Sequence, residues 1–232
     1  MHPGRIDLGV GRAPGSDRAT MVALAPDHQP IPVDRYPAMV RELEGFLTDS
    51  LDTTSPFAGR VTATPVPARP PELWLLASSP DSASFAAHFG LPLAFADFIS
   101  QADGAAIVDA YRAGYRPSTA HPEPQVIVAA SVICADTTAE AESLAAGVRL
   151  WRQRGLHGPI PSPDDVRAAE PGPLDVAPSR KPMIVGDPAT VADAVTAMAQ
   201  RYGSDEFMAV TITWDHRARV RSYELLAGAL LG

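Results

Sequence analysis

Cysteine and lysine are almost missing from this 232-residue chain, which has one of each, Cys134 and Lys181. A lone cysteine excludes an internal disulfide and any multi-cysteine zinc or iron–sulfur site. Cys134 closes an apolar run, where a thiol is an inert core group. The other 18 of the 19 basic residues are arginine, which reads as codon bias. Long apolar runs are also absent, and none reaches the roughly 18 residues that cross a bilayer. The first residues, Met1-His2-Pro3-Gly4-Arg5, lack the apolar core of a signal peptide. These absences argue against a membrane or secreted protein and for the cytoplasm. There is no excess of positive charge. The net charge is −8 and the isoelectric point about 5.2, which argues against a general nucleic-acid binder. The six histidines are scattered with no pair at metal-ligand spacing, so no metal site is expected. No Gly-x-Ser-x-Gly elbow marks a hydrolase serine, and no solenoid repeat is visible.

What is there suits one globular domain, 1–232, with 46% hydrophobic and 20% charged residues. The 24 prolines gather in linkers, chiefly 52–71 and 155–182. The second stretch reads as an excursion or lid. Apolar runs at 5–10, 73–77, 93–96, 126–134 and 207–213 read as five good strands, with a short extended piece at 183–186. The run at 73–77 looks covered on both faces, as parallel strands are. Residues 18–33 are weakly patterned and broken by Pro26, Pro30 and Pro32. Helices alternate with the strands. One is expected to start at an Asp34 cap and bury Tyr36, Val40, Leu43 and Leu47. Another carries Phe85 and Phe89 and closes at Gly90. Thr137 and Glu140 form a capping box. Asp187 and Asp215 cap the last two helices, the final one expected to pack through Val220, Tyr223, Leu226 and Leu230. Alternating β and α units mean a parallel sheet with covering helices. Pattern alone leaves a closed barrel and an open sheet as alternatives.

Two clusters could carry chemistry. Arg12 lies just past the C-terminal end of a strand, where α/β folds collect ligands. Its guanidinium can grip a phosphate bidentately, or it can pair with Asp7 or Asp17. Ser78, Ser79 and Ser82 also follow a strand and open a helix. They can form a phosphate cradle, or one of them can simply cap the helix. Residues 9–15 (GVGRAPG) miss the dinucleotide fingerprint, because Pro14 takes the place of its third glycine.

The same segments carry a family resemblance. Residues 2–15 (HPGRIDLGVGRAPG) resemble the strand-four segment of the bacterial luciferase-like flavin monooxygenases. Residues 71–79 (PELWLLASS), then Ala86-Ala87 and Gly90-Leu91-Pro92, resemble strand five through strand six. Ile184-Val185-Gly186-Asp187-Pro188 with Val191 is similar to the entry to a late helix. Asp205-Glu206-Phe207-Met208, through Arg221-Ser222-Tyr223-Glu224-Leu225-Leu226, is similar to the last strand and helix. The resemblance implies a (β/α)8 TIM barrel that uses reduced FMN and O2 to oxidise a small organic substrate. The FMN would be reduced by NAD(P)H or a partner flavin reductase. It implies that Arg12 contacts the flavin phosphate and that Ser78, Ser79 and Ser82 help hold it. Ser78 stands where luciferase has an acid, and Gly11 where it has a reactive cysteine. No catalytic acid or base is assigned. In the family, about a third of the chain precedes strand four. The expectation is therefore a barrel reduced to strands four to eight, without the N-terminal third and its usual dimer interface. The alternatives are a non-catalytic flavin-binding protein or an inactive remnant.

Overall fold

The computed structural model describes residues 2, 4–12, 18–25, 29, 32–156, 158–169, 181–204 and 206–232. Its strands are β1 (Asp7–Gly11), β2 (Glu72–Ala77), β3 (Leu93–Ala96), β4 (Val126–Cys134), β5 (Ile184–Gly186) and β6 (Glu206–Val210). Its α-helices are α1 (Arg18–Leu24), α2 (Tyr36–Thr48), α3 (Pro80–Phe89), α4 (Gly104–Ala113), α5 (Thr138–Gln153), α6 (Pro163–Ala168), α7 (Pro188–Tyr202) and α8 (His216–Leu231). The six strands form one sheet and every pairing is parallel. β1, β2, β3 and β4 lie side by side in chain order, and β6 pairs with β4. The short β5 joins the C-terminal end of β4 through Val132–Ile184 and Cys134–Gly186. The fold is thus α/β, with the short piece at 183–186 counting as a sixth strand.

Strand periodicity decides where the core sits. Leu73, Leu75 and Ala77 of β2, Leu93 and Phe95 of β3, and Val126 and Val128 of β4 point to one face. There they meet Tyr36 and Val40 of α2, Ala83 and Ala86 of α3, Val108 and Tyr111 of α4, and Tyr202 of α7. The alternate residues of β2 and β6 face the other way. Leu76 is 44% exposed and Met208 51% exposed. The expected cover on both faces of β2 holds at Trp74, which is buried, and fails at Leu76. It holds throughout β4, whose nine residues are all buried. Val132 and Cys134 pack on α7 and α8, and Ile133 packs on Ala141, Ala145 and Val148 of α5.

Several local expectations change. A helix, α1, lies in the weakly patterned region that the prolines disguise. Asp34 is not a helix cap. It belongs to a 3-10 turn, Val33–Arg35, which runs directly into α2. Thr137 accepts from the Glu140 amide at 3.2 Å, one half of the expected box. The reciprocal box is at Ser162 and Asp165, where it starts α6 inside the proline-rich stretch 155–182. Of the four α8 positions expected to pack, only Leu226 is buried, while Val220, Tyr223 and Leu230 are exposed. Asp187 and Asp215 cap α7 and α8 as expected, through the amides of Thr190 and Arg217. Gly90 and Gly203 end α3 and α7 in the left-handed conformation that glycine adopts without strain.

Candidate functional site

The parallel register brings the two sequence-predicted clusters to one end of the sheet. Gly11 pairs with Leu76, so Arg12 stands beside Ala77 and one step short of Ser78. Arg12 and Tyr36 line a cleft of about 320 Å3, with Val10, Met39 and Leu43 as its apolar wall. Among the described residues Arg12 forms no ion pair, and Asp7 does not hold it. Asp17, the other acid considered, lies outside the described residues.

The serine cluster opens α3. Ser79 is the N-cap residue by position, with φ −141° and ψ 159°, yet its side chain makes no capping hydrogen bond. Its hydroxyl donates instead to Ser82 Oγ at 3.3 Å. Plain N-capping therefore does not account for these hydroxyls. Pro80, at the first helical position, has no N–H, and the Ala83 amide is taken by the Ser79 carbonyl at 3.2 Å. That leaves the Asp81 and Ser82 amides at the helix end without intrahelical acceptors. Ser78, Ser79 and Ser82 are all half-buried. The serine hydroxyls and the two amides are donors at the positive end of a helix, and the Arg12 guanidinium is a further donor at the same end of the sheet. Asp81 is the one acid in that first turn.

A second polar cluster was not legible in sequence. Asp97, 8% exposed, follows β3 and accepts a hydrogen bond from the Tyr202 hydroxyl at 2.5 Å. Burial pushes the Tyr202 hydroxyl well above its ordinary pKa, and the Asp97 carboxylate pushes it the same way. Lys181 Nζ lies 3.9 Å from Asp97 Oδ1. Gly104 leaves room for the pair, since a Cβ there would collide with the Tyr202 hydroxyl and the Phe95 ring. The signal that could have pointed here is Lys181, the single lysine of the chain.

Cys134 is buried, and burial pushes its thiol pKa up, helped by the carboxylates of Asp187 and Asp136. It is the inert core thiol the sequence suggests. His121 is 8% exposed, with Nδ1 3.4 Å from Glu72 Oε1. No group of three or more His, Cys, Asp or Glu among the described residues could hold a metal ion. No described helix is long and apolar enough to cross a membrane.

The family model for luciferase-like monooxygenases matches residues 1–206. The chain belongs to that family. It is 34% identical to a luciferase-like monooxygenase of Escherichia coli strain K12 over 97% of this chain and 67% of that protein. The crystal structure of apo-MsnO8 superposes with a TM-score of 0.85 at 36% identity, covering 99% of this chain and 69% of that one. The fold recurs at 17% identity and a TM-score of 0.58 in a type II Baeyer–Villiger monooxygenase from Pseudomonas putida. That structure, a complex with FMN, covers 98% of this chain and 70% of its own. These comparisons lend no support to the expectation that an N-terminal third is lacking. The six-stranded sheet does not carry the expectation of an incomplete barrel.

Proposed function

We propose that this luciferase-like chain is an FMN-dependent monooxygenase that oxidises a small organic substrate with O2. The observation that carries the reading is the placement of Arg12 and of Ser78, Ser79 and Ser82 at the same end of the adjacent strands β1 and β2. The register supports it, and so do the unused capping hydroxyl of Ser79 and the open helix end. In this reading the parallel sheet and its covering helices are the framework of a (β/α)8-type barrel.

The donor set fits a phosphate monoester. Arg12 supplies two parallel N–H donors, and Ser78, Ser79 and Ser82 supply hydroxyls that can rotate to suit an anion. The Asp81 and Ser82 amides add fixed dipoles that need no reorganisation when the anion arrives. The reduced flavin, when bound, supplies the electrons and the activation of O2. The chain's part is to anchor, orient and exclude water. Leu76 and Met208 put exposed apolar surface on the sheet face they share, and Gly9 and Gly11 leave two positions of β1 on it without side chains. A flat aromatic group can lie close to such a face, with water displaced from it. The reductant would come from NAD(P)H, directly or through a flavin reductase.

A sulfide is the least demanding probe, because it takes up one oxygen atom without needing an acid or base. The test supplies the chain with FMN, NADH, a flavin reductase, 18O2 and thioanisole. The reading predicts 18O-labelled sulfoxide with one enantiomer in excess, above the amount formed without the chain. Racemic sulfoxide at the background level contradicts it. FMN binding without product would favour the non-catalytic flavin-binding alternative.

A further inference from the structure

Tyr36 touches residues next to both halves of the anion site without belonging to either. It is the first residue of α2 and 7% exposed. Its hydroxyl donates to the Val10 carbonyl at 3.4 Å, two residues before Arg12. Its ring meets Phe85 with centroids 5.7 Å apart at 58°, and Phe85 lies three residues beyond Ser82 on α3. Among the described residues β1 pairs with β2 alone, so its last residue has ladder bonds on one side only. A strand end held this way needs side-chain support to keep a guanidinium in place. Bidentate capture of a phosphate tolerates an error of only about 0.5 Å. A buried phenol needs its hydrogen bond as well as its packing, and Tyr36 directs both at this junction. Burial raises its hydroxyl pKa, and the Arg12 guanidinium, which lines the same cleft, pulls the other way.

We infer that Tyr36 is a positioning residue that holds Arg12 in register with Ser79 and Ser82, through the Val10 carbonyl and the Phe85 ring. The inference rests on the phosphate reading above. It predicts that Tyr36 acts on the phosphate of FMN and not on the flavin ring.

The test measures FMN and riboflavin affinity by flavin fluorescence for the wild-type chain, Tyr36→Phe, Tyr36→Leu, Arg12→Ala and the Arg12→Ala/Tyr36→Phe double variant. Losing one neutral hydrogen bond corresponds to about 2- to 10-fold. Tyr36→Phe is therefore expected to lower the FMN-to-riboflavin affinity ratio by that factor, with riboflavin affinity unchanged. Tyr36→Leu, which also loses the contact with Phe85, lowers the ratio further. In the Arg12→Ala background Tyr36→Phe changes nothing more. Equal weakening of both ligands by Tyr36→Phe overturns the inference and leaves Tyr36 a core residue. So does an unchanged ratio in that variant while Arg12→Ala loses it. A wild-type ratio near one, unaffected by Arg12→Ala, overturns the phosphate reading and this inference together. Near-UV circular dichroism checks the fold. If Tyr36→Leu does not fold, the nearly isosteric Tyr36→Phe carries the test.

Discussion

Replacing Tyr202 with Phe removes a single oxygen atom and leaves the ring where it packs against Phe95, with centroids 6.0 Å apart. No large cavity opens, so the effect isolates the hydrogen bond to Asp97. That bond is 2.5 Å long, and its acceptor is only 8% exposed. A hydrogen bond to a charged group contributes about 1.5–3 kcal/mol. Water cannot readily replace the lost donor, and Lys181 at 3.9 Å is too distant to form a short hydrogen bond in its place. A chain of this size shifts by about 2–4 °C per kcal/mol. Tyr202→Phe should therefore lower Tm by roughly 3–12 °C at pH 7, measured by calorimetry. In a double-mutant cycle with Asp97→Ala, the second substitution should cost clearly less than the first, because the pair acts as a unit. A Tm within about 1 °C of wild type, or strict additivity in the cycle, would refute the claim that this is a buried, mutually dependent pair.

Two further outcomes follow from the same packing and capping. Gly104→Ala places a methyl group against Tyr202 and 3.0 Å from Asp97 Oδ1. Overpacking of this kind costs about 1–3 kcal/mol, and the urea midpoint should fall accordingly; an unchanged midpoint would show that the pair can move aside. Asp187 accepts from the Thr138 hydroxyl at 2.6 Å and from the Thr190 amide at 3.0 Å, which together hold its carboxyl at about 2, below the usual carboxylate value. A depressed folded pKa means the stabilisation is complete above the ordinary pKa of about 3.9 and is lost as pH falls towards 2. The stability gap between wild type and Asp187→Asn should therefore be open at pH 5–7 and close between pH 4 and 2. A gap independent of pH contradicts the assignment.

Much of the scaffold was legible because local signals agreed with burial. The run 126–134 reads as a strand because helices cover both of its faces, so no polar residue need alternate. Gly90 and Gly203 mark helix ends because the chain turns left-handed there. α6 was hidden because the prolines of 155–182 outweigh a four-residue signal, Ser162 to Asp165. The exposed face of α8 could not be foreseen, since an apolar stripe does not say whether the partner surface is present. Within the candidate site, Arg12 and the three serines were readable as groups at strand ends. Tyr36 was readable only as a core position, since its link to both halves depends on α2 crossing the end of β1. Asp97 and Tyr202 stand 105 residues apart, and no local pattern joins them.

Arg12, with Ser78, Ser79 and Ser82, is proposed to hold the phosphate of a flavin. The most direct test is a fluorescence titration of the 232-residue chain with FMN, with riboflavin as the phosphate-free control, repeated on Arg12→Ala. Losing a charge-assisted hydrogen bond worth about 1.5–3 kcal/mol corresponds to roughly 10- to 150-fold in affinity. Wild type is expected to prefer FMN over riboflavin by at least that factor, and Arg12→Ala to lose the preference with riboflavin binding intact. Equal affinity for FMN and riboflavin in the folded wild-type chain, or equal weakening of both by Arg12→Ala, would contradict it.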